Sequence, residues 1–172
     1  MSKKFYLITI AITLVIAACI VSLFVYFKNK TQQSDITEIA KENKSNYELL
    51  PIEELAKKTS LDIQTSKEVV SINNVYKNPI EKLSRNGVAF ADNDDYYMAF
   101  YPQDNGFLIS INNSDVVSAE RKAEDSFLKQ LEIAKDQACQ LKVSITVPYN
   151  VSKKYSGGVY GLSFCSGANI IK

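Results

Sequence analysis

A chain of 172 residues with 46% hydrophobic residues has room for one domain and a short appendage. Its 20 basic residues nearly cancel its 19 acids, so no net field exists to hold a polyanion, and no basic face of the nucleic-acid-binding kind is visible. Histidine is absent, which removes Ser-His-Asp and Cys-His catalysis, and three cysteines cannot complete a tetrahedral zinc site.

The run FYLITIAITLVIAACIVSLFVYF, residues 5–27, carries no charge from Phe5 to Phe27. At about 1.5 Å per helical residue it covers roughly 34 Å, enough to cross a hydrocarbon core of about 30 Å. Tyr6 and Tyr26 lie near its ends, where amphipathic rings favour the interface. The run is too long for a cleaved signal peptide, so residues 1–30 are expected to form a single-pass anchor in the lipid bilayer. Lys3 and Lys4 on one side nearly balance Lys28 and Lys30 on the other. The short leading tail and the cysteine usage favour a cytoplasmic N-terminus with the domain outside. Ile16-Ala17-Ala18-Cys19 resembles a lipobox, but apolar sequence continues after Cys19, which fits a small membrane-buried hydrophobe. Lipidation of Cys19 stays open. The start KKFYLIT has Lys4 and Thr9 where a type IV prepilin leader has a small residue and a glutamate.

Residues 31–46, TQQSDITEIAKENKSN, read as a polar linker that leads into a domain over residues 47–172. Pro51 and two acids open a short helix over residues 51–56. A second short helix is expected from the Asn78 cap and Pro79 to the stop at Asn86-Gly87. Asp92-Asn93-Asp94-Asp95 imitates the start of a calcium loop. Tyr96, Tyr97 and Gln103 then fall where such a loop needs an oxygen ligand, a glycine and a glutamate, so a turn is expected. YYMAFY and FLISI, separated by Pro-Gln-Asp-Asn-Gly, predict a hairpin with Gly106 available for positive φ.

Asn113 and Ser114 offer a cap to a helix whose buried stripe is Val116, Ala119, Ala123, Phe127 and Leu131. Glu120, Arg121, Lys122, Glu124 and Lys129 make its solvent side. Leu141, Val143, Ile145 and Val147 alternate with polar residues, the pattern of a half-buried strand ended by Pro148. Residues 159–165 predict a last strand interrupted by Gly161. The fold class is therefore α+β: an N-terminal transmembrane helix, then a small antiparallel sheet with a packed helix, in the order hairpin, helix, strand, strand.

If the last two strands are neighbours, Cys139 and Cys165 reach bonding distance. Two unpaired buried thiols are the alternative for a cytoplasmic domain. A catalytic thiolate lacks the histidine that would activate it. No catalytic residue, metal ligand or cofactor is assigned. Lys142, Lys153, Lys154 and Lys172, which follow the last acid, read as solvated charges. Ser66-Lys67 and Ser152-Lys153 are too common to define a catalytic dyad, and the sequons at Asn43, Asn112 and Asn150 fit chance in an Asn-rich chain. Tyr149, Tyr155 and Tyr160, in the loop VPYNVSKKYSGGVYG, are candidate partner contacts.

The string from Ala123 to Cys165, ending in YGLSFC, together with NPIEKLxxNGV and DDYYMAFYP upstream, resembles a family of single-pass proteins from small-genome, candidate-phyla bacteria. The likeness runs from about Val69 to the end and carries no assigned activity. It implies an anchor with an outer domain and a Cys139–Cys165 pair. The expected function is a membrane-anchored extracytoplasmic binding module, without enzymatic activity, for an envelope protein or glycan and not for nucleic acid. The alternatives are a pilin-like or secretion-apparatus subunit and a carboxylate-dependent enzyme.

Overall fold

A computed structural model describes residues 50–172. The anchor and linker expected over residues 1–30 and 31–46, Cys19 included, lie outside the described residues. Among the described residues no helix is long and apolar enough to cross a membrane.

Pro51 is held extended at φ −56° and ψ 144°, and its carbonyl accepts from the backbone of Glu54 and Leu55. That turn starts helix α1 (Ile52–Leu55), as proline and acids at a helix front predict. The next segment, to which the sequence reading assigns no element, is a two-stranded antiparallel sheet of β1 (Ser60–Gln64) and β2 (Val69–Asn73). Leu61, Ile63, Val70 and Ile72 alternate inward while their neighbours face solvent. Thr65 closes the turn, its Oγ1 accepting from the amides of Lys67 and Glu68.

Beyond β2 the chain turns on Asn74, which is 3% exposed. Its Nδ2 donates to the carbonyls of Leu55 (2.8 Å) and Lys58 (2.7 Å), and its Oδ1 accepts from the Tyr76 amide (2.9 Å). One amide side chain thus satisfies three backbone groups that no ladder reaches.

Residues 78–87 do not form the expected helix. The Ile80 amide donates to the Ala89 carbonyl and the Leu83 amide to the Gly87 carbonyl, so the backbone is drawn into sheet pairing instead. The result is a two-residue strand, β3 (Glu81–Lys82), and a 3₁₀ turn at Ser84–Asn86 in which Arg85 and Asn86 take positive φ. Strands β4 (Val88–Asp92), β5 (Tyr96–Tyr101) and β6 (Gly106–Ile111) follow as an antiparallel meander. Asn93 holds the β4–β5 turn through its Oδ1, which accepts from Asp95 and Tyr96, so the acidic stretch is the expected turn. The β5–β6 hairpin is in register from Tyr96–Ile111 to Tyr101–Gly106. Its positive φ falls on Asn105 (51°) rather than on Gly106. A Cβ at 106 would lie 2.8 Å from Asp104 Oδ1, so a side chain there would have to turn the Asp104 carboxylate aside.

Helix α2 (Val116–Leu131) begins at Asp115, whose side chain accepts from the Ser118 amide. The cap is thus one residue beyond the expected Asn113–Ser114 pair, and Asn113 instead accepts from the Asp115 amide. A short helix, α3 (Lys135–Ala138), leads into β7 (Lys142–Thr146). Strand β7 runs parallel to β6, the crossover being α2 and α3. The five-stranded order is β3-β4-β5-β6-β7, antiparallel except for that last pair.

The expected stripe of α2 is buried: Ala123, Phe127 and Leu131 show no exposure, Ala119 1% and Val116 3%. It packs on β2, β5 and β6. Phe127 meets Phe107 edge-on at 5.3 Å, and Phe107 continues to Phe100 at 4.8 Å, so aromatic contacts tie helix to sheet. Met98, Ala99 and Phe100 are buried at consecutive positions, so both faces of β5 are covered there.

Replacing Asn74 with alanine removes three hydrogen bonds to backbone and leaves the buried Tyr76 amide without its Asn74 acceptor. The expected loss is about 2–4 kcal/mol in urea unfolding, and a loss near zero would show that water replaces the amide.

Candidate functional site

Residues 159–172 make a strap. The expected last strand reduces to one antiparallel bridge, Tyr160 with Ile145, its two hydrogen bonds being 2.7 and 2.8 Å. The ladder stops there because the chain folds back on itself: the Gly161 amide donates to the Asn169 carbonyl (2.9 Å), and a Cβ on Gly161 would sit 3.0 Å from that of Ala168. With no strand to satisfy it, this backbone needs other partners.

Helix α2 supplies them through a face that the sequence reading assigns to solvent. Glu120 and Glu124 are 3% and 4% exposed, whereas Arg121, Lys122 and Lys129 are exposed as expected. The two glutamates stand one turn apart on the helix and the strap covers them. The Glu124 carboxylate accepts from both the amide and the hydroxyl of Ser163, the latter at 2.6 Å. A backbone hydrogen bond from Ile171 reaches Glu120, whose Oε1 has no partner among the described residues. Leu162 and Ile171, buried in the core, flank these contacts.

Burial first, and then the neighbouring Glu124 carboxylate, push the Glu120 pKa up to about 7, against the opposing pull of the Ile171 hydrogen bond and the Arg121 charge. Near neutrality this side chain is partly protonated. It lies buried beneath the strap, so taking up or losing this proton is coupled to packing.

Cys139 caps α3, and Cys165 lies in the strap rather than at the end of a strand. They form the expected disulfide, with Cα atoms 5.5 Å apart and a sequence separation of 26. The strap is thus held at Cys165 by a covalent bond and at Ser163 and Ile171 by acids.

The three candidate contact tyrosines separate by role. Tyr155 donates its hydroxyl to the Lys172 carbonyl and Tyr160 donates to the Tyr155 carbonyl (3.0 Å), so both help to seat the strap. Tyr149 is 66% exposed and carries Lys153 over its ring at 5.5 Å. Val159, 61% exposed, is the other large apolar side chain presented by this loop region. The trailing lysines Lys142, Lys153, Lys154 and Lys172 are exposed as expected, and within that solvated setting Lys142 pairs with Asp104 while Lys154 donates to Tyr155 Oη and the Lys172 carbonyl.

The sequence signal that points to the buried acids is slight. Ala119-Glu120 and Ala123-Glu124 repeat at four residues beside the apolar stripe, which widens the arc that something must cover. No group of three or more potential metal ligands occurs among the described residues. Comparison with known proteins finds no matching family model, no matching curated protein and no matching solved structure.

Two outcomes test the strap. Because the folded chain holds the Glu120 proton between pH 4.5 and about 7 while the unfolded chain has lost it, this group's contribution to stability falls as pH rises through that window and is flat above it. Relative to wild type, Glu120→Gln should therefore gain roughly 3 kcal/mol on going from the bottom of the window to above it, read from urea midpoints. A difference independent of pH would mean that Glu120 titrates normally. Reducing the disulfide should cost about 3.5 kcal/mol and raise amide exchange at Ser163, because the strap then loses its one covalent tie.

Proposed function

We propose that this chain is a membrane-anchored binding module of the cell envelope. Its α+β domain stands outside the membrane, and its work is recognition rather than catalysis. The observation that carries this reading is the Cys139–Cys165 disulfide. Such bonds persist in oxidising compartments and are rare in the cytosol, and this one staples a small domain whose last segment lacks regular structure. The uncharged run over residues 5–27 supplies the anchor in this reading. The likeness to single-pass bacterial proteins fits the same layout.

Recognition is favoured over a carboxylate-dependent reaction by where the acids lie. Glu120 and Glu124 converge, and one has a raised pKa, which is how a catalytic pair begins. They are nonetheless occupied in holding the strap, and buried beneath it. The exposed side chains of Tyr149 and Val159 give the domain apolar contact area on its solvent side.

The test is labelling of intact cells with a membrane-impermeant maleimide, before and after reduction, in a Cys19→Ser background so that only Cys139 and Cys165 report. Labelling that appears only after reduction is the expected result. Labelling that needs lysis but no reductant would place the domain in the cytoplasm and overturn the proposal.

A further inference from the structure

Most of the domain's lysines are already engaged. Lys57, Lys82, Lys122 and Lys142 pair with carboxylates, while Lys135, Lys153 and Lys154 lie over aromatic rings. Lys77 and Lys129, like Lys67 and Lys172, have no ion-pair or hydrogen-bond partner for the ammonium group among the described residues, but they alone of these four line one groove, of about 470 Å³. That volume falls in the range of small-molecule sites. Lys77 comes from the connection after β2, and Lys129 from α2.

The rest of the lining is uncharged: five amide or hydroxyl residues with Val75 and the ring of Phe90. Asn73 and Asn78 flank Lys77 along the chain, Ser126 and Gln130 come from α2, and Phe90 from β4. No acid lines the groove. Ser126, Lys129 and Gln130 share a helix face by their three- and four-residue spacing, and Gln130 Nε2 donates to Ser126 Oγ at 3.0 Å.

The groove is also built before any ligand arrives. Asn73 Nδ2 donates to the Gln130 carbonyl at 3.0 Å, tying the connection to the helix. Asn74 beside it fixes the same connection through its three hydrogen bonds. A loop held in this way loses little freedom on binding, which leaves more of the contact energy for affinity.

We infer that the groove between the β2–β3 connection and α2 binds a carboxylate-bearing sugar unit of an envelope glycan, with Lys77 and Lys129 taking the carboxylate and the amide and hydroxyl side chains taking the sugar hydroxyls. Lysine is a compact charge that suits a carboxylate without demanding one fixed fork geometry. Amides and a serine hydroxyl both donate and accept, as sugar hydroxyls do. An acidic peptide fits less well, because the groove offers only Phe90 and Val75 as apolar anchor surface. The assignment to a glycan rests on the envelope reading above, whereas the groove's positive charge does not.

The experiment is calorimetric titration of the full chain in detergent micelles with a trimer of galacturonic acid. Its uncharged methyl ester, a hexaglutamate peptide and inorganic phosphate are the comparison probes. The trimer should bind saturably, and at least about tenfold more weakly to a Lys77→Gln, Lys129→Gln double variant of unchanged melting temperature. The ester should lose a similar factor. Absence of saturable trimer binding, equal binding of the ester, or undiminished binding by the double variant would each overturn the inference. Hexaglutamate binding as tightly as the trimer would make the ligand an acidic peptide and overturn it too. Displacement of the trimer by phosphate at equal concentration would reduce the groove to a small-anion subsite and overturn it as well. In micelles the result is indifferent to compartment, so a failed titration leaves the anchored-module reading standing, and cytoplasmic labelling would remove that reading while leaving a positive titration valid.

Discussion

The constraint on which this domain turns is the need to satisfy backbone that has no ladder to join. Residues 161–172 lie against the core without helix or strand, and Leu162 and Ile171 are buried there. Burial of such a segment is tolerable only if its amides find acceptors. The solution is to let a helix provide carboxylates where its neighbours provide apolar surface. Glu124 takes both polar groups of Ser163, and Glu120 takes the Ile171 backbone while keeping a proton of its own near neutrality. The same problem recurs at the other end of the domain, after β2, and is met there by an amide rather than an acid. Asn74 reaches three backbone groups at once without any charge to desolvate.

How far the sequence reveals this depends on how much of the information is local. The α2 stripe is legible because its period is set within one helix, and so is the β5–β6 hairpin, whose aromatic runs and turn residues are adjacent in sequence. The alternation that forms β1 and β2 is equally present in Leu61, Ile63, Val70 and Ile72, but each run is short and its polar neighbours resemble a loop. Strand β4 is harder. Val88, Ala89, Phe90 and Ala91 are all buried, so no alternation marks them. At residues 78–87 proline and Asn-Gly punctuation suggest a helix, and pairing with β4, a partner that local propensity does not see, overrides it.

The acids escape a sequence reading for a related reason. Glutamate beside an exposed arginine and lysine looks solvated unless the path of a segment some forty residues later is known. The disulfide is legible because two cysteines flanking a predicted strand leave few other arrangements. Its geometry nevertheless differs from the expected pairing of strand ends, since Cys165 sits in the strap. The groove lined by Lys77 and Lys129 is not legible at all. It joins residues more than fifty apart through the hydrogen bond from Asn73 to the Gln130 carbonyl.

The two borders of the five-stranded sheet have a consequence for how copies of the domain behave toward one another. An open border of unpaired amides and carbonyls invites a neighbouring chain to add a strand, and is a common start of aggregation. Here one border is β3, two residues long, with Glu81 and Lys82 both exposed. The other is β7, where Tyr160 occupies the outward amide and carbonyl of Ile145. Neither border offers a long, flat, uncharged template. Copies crowded onto a common surface would meet at these borders through side chains, leaving their five-stranded sheets separate.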